Sequence, residues 1–171
     1  MFTLNEKVVY PGHGVARVVR IIEKKVAGKS SEFFELKFIN KDMTILVPIA
    51  NVLSVGIRPL SSSKHINDIF KILSEPVTPI CHEAVITNWN KRNKEYQGKL
   101  RTGDLREICA IYKDLKYIET QKELSFGEKN LLSQTESLLV EEISLVNNLE
   151  TDKATRQLRL LVQREQQQLS Q

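Results

Sequence analysis

The sequence predicts an α+β protein of two domains: a small SH3- or Tudor-like β-barrel, then an all-α helical domain. Three observations predict it. Residues 1–58 hold short β-branched and aromatic runs divided by glycine, proline and asparagine turns. From residue 64 onward, apolar residues recur at helical spacing. Between the two lies a serine-rich stretch, 59–63. The expected division is therefore a barrel at 1–58, a linker at 59–63, and a helical domain at 64–171 ending in a polar tail.

The β elements follow in order. Lys7-Val8-Val9-Tyr10 reads as a strand, and Pro11-Gly12-His13-Gly14 as a turn. Val15 to Val26 is long and β-branched, and Gly28-Lys29-Ser30-Ser31 is read as the next turn. In Glu32 to Phe38, period-two alternation puts Phe34, Leu36 and Phe38 inward and Glu35 and Lys37 outward. Asn40-Lys41-Asp42 turns the chain into a strand from Met43 to Val47. Pro48 ends that strand, having no N–H for a ladder. Val52 to Ile57 is read as a fifth strand. Five short strands with tight turns suggest a strongly bent barrel.

The helical elements begin with the stripe Ile66, Ile69, Phe70 and Leu73. Pro76 and Pro79 break the chain after it, since each disfavours helix at the preceding residue. A helix starting near Trp89 ends at Arg101-Thr102-Gly103-Asp104. The next carries Leu105, Ile108, Ile111, Tyr112, Leu115 and Ile118. Ser125 and Glu128 have the spacing of a capping box, opening a helix with Leu131, Leu132, Leu138, Leu139, Ile143, Val146 and Leu149. A last helix starts at Thr151-Asp152 with Leu158, Leu161 and Val162. The glutamines from Gln163 onward read as a fraying end.

Composition limits the function. The chain has 171 residues, 41% hydrophobic and 27% charged, which suits packed domains rather than global disorder. A net charge of +4 permits a polyanionic partner without demanding one. Two cysteines, Cys81 and Cys109, no leader pattern and no long apolar run give the expectation of a cytoplasmic protein with free thiols and no membrane partner. Gly28-Lys29-Ser30 fails as a phosphate loop, because Glu23 stands where that motif needs glycine. His82-Glu83 fails as a zinc-protease start, because Ile86 stands at the second histidine position. Cys81, His82 and Cys109 match no zinc spacing, and Cys109 fits a helix core. The expectation is a protein without enzymatic activity, cofactor, metal or small-molecule substrate.

The most informative stretch is Thr87-Asn88-Trp89-Asn90-Lys91-Arg92-Asn93-Lys94. It holds the only tryptophan and three cations. Thr87 or Asn88 can cap the helix. Trp89 then sits beside free backbone donors at the positive end of the helix dipole. Two readings stay open from spacing alone. Ile86, Trp89, Asn93, Tyr96 and Leu100 form a helical stripe, so Trp89 can be a core residue. The spacing favours that reading, while a flat apolar ring beside Lys91, Arg92 and Lys94 also suits a DNA backbone with an exposed base step.

Val8-Val9-Tyr10-Pro11-Gly12-His13-Gly14, Thr44-Ile45-Leu46-Val47-Pro48 and Thr87-Asn88-Trp89 followed by cations resemble the CarD family of bacterial transcription regulators. The resemblance covers roughly residues 2–150. In this family the barrel is shared with the transcription-repair coupling factor, where it is the RNA-polymerase-interacting domain. The resemblance implies that the barrel binds the polymerase β subunit. It implies that the helical domain touches promoter DNA at the upstream edge of the transcription bubble, with Trp89 in the minor groove. Lys91, Arg92 and Lys94 would neutralise phosphates without reading sequence. Lys24, Lys25 and Leu46 are the expected polymerase contacts, with localisation to the bacterial cytoplasm and nucleoid.

Two residues depart from the family pattern. Relatives often carry an aromatic residue four positions after the tryptophan, where Asn93 stands here. Well-studied relatives have arginine at the position of Leu46, which can offer only apolar area. Lys24 matches a second basic contact position. The competing reading is a non-catalytic protein–protein adaptor whose helices serve only as a scaffold.

Overall fold

The computed structural model describes residues 1–76 and 88–169, with side chains described through Gln163. The chain divides into two compact units, Met1–Leu60 and Ser61–Gln171.

The first unit is a five-stranded antiparallel sheet with the strand order of an SH3- or Tudor-like barrel. Its strands are β1 (Lys7–Tyr10), β2 (Gly14–Val26), β3 (Lys29–Phe38), β4 (Thr44–Pro48) and β5 (Arg58–Pro59). They run in the order β4-β3-β2-β1-β5. Phe34, Leu36 and Phe38 point inward and pack with Val8, Val18 and Val47. Their alternation with Glu35 and Lys37 agrees with the period-two pattern.

Two expectations for this unit need correction. The turn after β2 is Ala27-Gly28 rather than Gly28–Ser31, because Lys29 already pairs with Val26. Ala27 has φ 49° and Gly28 φ 79°, so both central residues adopt the positive φ of a tight hairpin turn. The second correction concerns Val52–Ile57. It forms a 3-10 turn (Ile49–Asn51) running into a one-turn helix, α1 (Val52–Val55). Gly56, at φ 81°, closes α1 by donating its N–H to Leu53 and Val52 carbonyls. One turn lets Val52 and Ile57 both reach the core while Leu53 stays in solvent. Burial therefore overrides the β-branched propensity of the stretch. The fifth strand straddles the expected end of the barrel, with Arg58 and Pro59 paired to Val9 and Val8. β5 ends the sheet order, the position where proline is tolerated.

The second unit contains α2 (Ser63–Ser74), α3 (Trp89–Thr102), α4 (Leu105–Gln121), α5 (Phe126–Asn147) and α6 (Thr151–Leu169). Each of the first four has a short polar side chain as its N-cap: Ser62, Asn88, Asp104 and Ser125. The residues 77–87 fall outside the described residues, and with them Thr87 as a cap, Ile86, and the Cys81-His82-Glu83 readings. Ile66, Ile69, Leu73, Leu105, Ile108, Ile111, Tyr112, Leu115, Leu139, Ile143 and Leu158 share one core, with the thiol of Cys109 buried in it. α6 runs on to Leu169 rather than fraying at Gln163. Glutamine, arginine and glutamate are good helix formers, and no glycine or proline stops them.

A polar knot ties three helices. Tyr112 Oη donates to Glu136 Oε2 at 3.0 Å, and Arg159 Nη2 donates to Glu136 Oε1 at 2.6 Å. Burial alone raises the Glu136 pKa, but the bonds from Arg159 and Tyr112 outweigh it and hold the carboxyl ionised. At the start of the unit, the Ser61 N–H donates to the buried Glu142 at 2.9 Å.

Candidate functional site

The tip of the helical unit is built where the first turns of α3 and α5 meet. Asn88 Oδ1 accepts from the Asn90 N–H at 2.9 Å, which starts α3 at Trp89. At the start of α5, Ser125 Oγ accepts from the Glu128 N–H at 3.3 Å, and Glu128 Oε2 accepts from the Ser125 N–H at 2.8 Å. This is the expected capping box, closed in both directions.

The indole of Trp89 lies between these two turns. It is half-buried and packs against the helical core. One edge rests on Gly127, where a Cβ would fall 3.0 Å from Cζ2. The Arg92 guanidinium carbon sits 5.6 Å from the ring centroid, within cation–π range. Phe126 is 81% exposed although it is large and apolar. Lys91 and Lys94 are exposed, with no ion-pair partner among the described residues.

Arg92 departs from the expectation that it belongs with those surface cations. The residue is only 4% exposed, and Nη2 donates to Glu128 Oε1 at 2.7 Å. The cause is helical spacing: Arg92, Tyr96 and Leu100 are the buried residues of α3, and Lys91 and Lys94 lie off that stripe. Lys122 joins the pair, 3.2 Å from Glu128 Oε1. Burial by itself pushes the Glu128 carboxyl up. Hydrogen bonds from Arg92, the Ser125 backbone and Lys122 outweigh it and hold its pKa at about 2. A carboxylate is therefore retained inside the tip, ionised and neutralised locally. Asn93, the departure from the family pattern, is half-buried and accepts from Gln97 Nε2 at 3.5 Å. Gly127 and Arg92 back the Trp89 ring here.

Phe126 was not singled out from the sequence. A signal existed: it precedes Leu131 by five positions, off the apolar stripe of α5, and directly follows the capping serine. A large apolar side chain at that phase has no core to enter.

On the barrel, strand register sorts the expected polymerase contacts. Lys24 pairs with Ser31, Leu46 with Glu35, and Glu35 with Arg20. Alternation from Lys37 and Glu35 puts Lys24 and Leu46 on the outward face, where Leu46 is 38% exposed. Lys25 pairs with Ser30 and so belongs to the opposite face. Lys24 and Leu46 therefore share one face of the sheet, two strands and four residues apart, and Lys25 lies on the other. The register adds a row that sequence reading missed. Lys7 opposes Arg17, and Arg17 opposes Lys37, giving three cations across three strands. Like charges directly opposed are unfavourable unless something offsets them. Arg17 and Lys37 also line a hollow of about 340 Å³ with Asn5 and the bulged Val19. On the same outer face, Arg20 is already bound to Glu35.

Among the described residues, no group of histidine, cysteine, aspartate or glutamate could hold a metal ion. Among them, too, no helix is long and apolar enough to cross a membrane.

The protein thus carries one basic and apolar sheet face and one basic and apolar helical tip. Comparison with known proteins places it. Residues 68–159 match the model of the CarD C-terminal domain, and residues 2–61 match the CarD-like and coupling-factor RID domain. The chain belongs to the CarD family and is a transcription factor of that family. It is 27% identical over 153 residues to YdeB of Bacillus subtilis (strain 168), described as a candidate transcription factor. That match spans 87% of this chain and 94% of YdeB. The solution structure of the N-terminal domain of Myxococcus xanthus CarD is 34% identical, covering 34% of this chain and 79% of that one, with a TM-score of 0.31.

Proposed function

We propose that this transcription factor binds the RNA polymerase β subunit through its barrel and stabilises the promoter open complex through its helical tip. The observation that carries the second half is the pairing of Trp89 with exposed Phe126, Lys91 and Lys94 at two adjoining helix starts. Large apolar side chains at a basic tip suit a partly unstacked base step in the minor groove. Such a wedge costs a few kcal/mol of unstacking and in return slows re-closure of the duplex. Lys91 and Lys94 would bind phosphates at the upstream edge of the bubble, with no sequence readout.

The first half is supported by the RID-domain match and by the outer face bearing Lys24, Leu46, Arg17 and Lys37. β4 ends the strand order, so a polymerase strand could add to it by main-chain hydrogen bonds. Lys24 on that face is the better contact, and Lys25 on the other face the weaker one.

The test is a polymerase pull-down followed by promoter-opening kinetics. The protein should be captured by the β subunit, and open complexes should live longer in its presence. Lys24→Glu should weaken capture more than Lys25→Glu. Capture without any effect of Trp89 on open-complex lifetime would favour the adaptor reading, in which the helices are a scaffold.

A further inference from the structure

We infer that Arg92 is a positioning residue for Trp89, forming with Gly127 and Glu128 a clamp that holds the indole in one pose. The inference rests on reading Trp89 as the ring that meets DNA. It changes the role of a cation that the sequence places among phosphate ligands.

The ring has two neighbours that cannot readily yield. Gly127 offers backbone alone, and an added methyl would come within 3.3 Å of Cε2 and Nε1 as well as 3.0 Å of Cζ2. A side chain at this position would make the ring give by a few tenths of an ångström. Arg92 is three residues beyond Trp89 on α3, a spacing that puts both on one side of the helix. Its guanidinium lies 5.6 Å from the ring centroid.

The guanidinium is itself immobilised. It is held at 2.7 Å by Glu128, whose carboxylate is fixed in turn by the Ser125 N–H and Lys122. The capping box thus does two jobs. It starts α5, and it aims the carboxylate that anchors Arg92. Swinging Arg92 out to a phosphate would leave Glu128 buried without its main cation, an unfavourable exchange.

A ring held this way loses little rotamer freedom when it stacks, so less of the contact energy is spent on ordering it. Arg92 would then strengthen DNA engagement without touching DNA.

The full-length protein allows a direct test, because Trp89 is the only tryptophan and its fluorescence reports on one ring. Two substitutions act from opposite sides. Arg92→Lys keeps the charge but loses the planar fork that spans ring and carboxylate. Gly127→Ala pushes the ring from below and is a good helix former, so α5 should persist. Both should shift Trp89 emission to longer wavelength and raise its quenching by acrylamide, with no DNA present. With polymerase on a promoter, both should shorten open-complex lifetime toward that of Trp89→Ala. Unchanged quenching in both variants, with the thermal midpoint preserved, would overturn the clamp. If quenching rises but Trp89→Ala leaves lifetime unaltered, the clamp stands and the DNA reading fails.

Discussion

Arg92 Nη2 and Glu128 Oε1 are 2.7 Å apart, and only 5% and 1% of their side chains meet solvent. A pair this dry is costly to break from one side. Arg92→Ala should destabilise the helical unit by about 3–5 kcal/mol, because Glu128 stays behind as a buried charge. Replacing both by apolar residues, Arg92→Met with Glu128→Leu, should cost much less, on the order of the lost cap, ~1 kcal/mol. Denaturant midpoints across this double-mutant cycle decide it. A loss in the double variant equal to the sum of the two single losses would mean the pair is not coupled.

The same carboxylate gives a pH dependence. Glu128 has its pKa lowered from an ordinary 4.5 to about 2. The unfolded chain therefore binds a proton at higher pH than the folded one. The stabilisation is fully present above pH 4.5 and is lost as pH falls toward 2. Its size is about 3 kcal/mol, since every tenfold weakening of proton binding on folding is worth about 1.4 kcal/mol. Acid unfolding of Glu128→Gln should show a shallower loss in that window. A parallel acid profile in parent and variant would contradict the assignment.

Salt dependence separates surface cations from the interior one. If Lys91 and Lys94 each neutralise one phosphate, each alanine substitution should lower the slope of log affinity against log salt by about 0.9. Arg92→Lys should leave that slope alone. Titrations on duplex DNA at several salt concentrations measure all three. An unchanged slope in the Lys91→Ala, Lys94→Ala double variant would return these lysines to ordinary solvated surface.

The β2–β3 hairpin turns on an alanine at φ 49°, which an L-residue with a Cβ adopts at a cost of roughly 1–2 kcal/mol. Ala27→Asn would give the Asn-Gly pair that this turn type favours. The barrel should gain up to about 1 kcal/mol, read as a raised thermal midpoint, since relief of strain is partly offset elsewhere. A lowered midpoint would show that the turn is not strained by Ala27.

Fold class was legible because its signals are local. Phe34, Leu36 and Phe38 alternate, the α4 stripe repeats at helical spacing, and the Ser125–Glu128 cap announces its helix. What escaped depends on tertiary burial. Val52–Val55 looks like a strand by composition, yet a single helical turn brings Val52 and Ile57 to the core. The same distinction runs through the candidate site. Trp89 at a capped helix start was readable, but the inward turn of Arg92 required Glu128, thirty-six positions away. Lys25 and Lys24 are neighbours in one strand, so period-two alternation already parts them, and the register pairs them with Ser30 and Ser31. The cation row of Lys7, Arg17 and Lys37 is likewise invisible until three strands are aligned.

Trp89 decides how the tip works, and its half-buried state makes both halves of its role measurable. A fully buried tryptophan truncated to alanine would cost about 3–5 kcal/mol. Part of this ring is in solvent and part rests on Gly127 and the helical core, so Trp89→Ala should cost less, about 1–3 kcal/mol. That loss belongs to the free protein and should appear without DNA. The second effect needs an opened duplex. A base stacked on an aromatic ring is worth roughly 1–3 kcal/mol, so open-complex lifetime should shorten by about five- to a hundredfold. Trp89→Phe should separate the two, keeping a flat apolar ring for stacking while reducing contact with Gly127. Polymerase capture should be unaltered in both variants, because the barrel is the proposed site of that contact. The paired measurement is denaturation midpoint beside open-complex lifetime for parent, Trp89→Phe and Trp89→Ala. A fall in midpoint with no change in lifetime would make Trp89 a packing residue alone and remove the wedge from the mechanism.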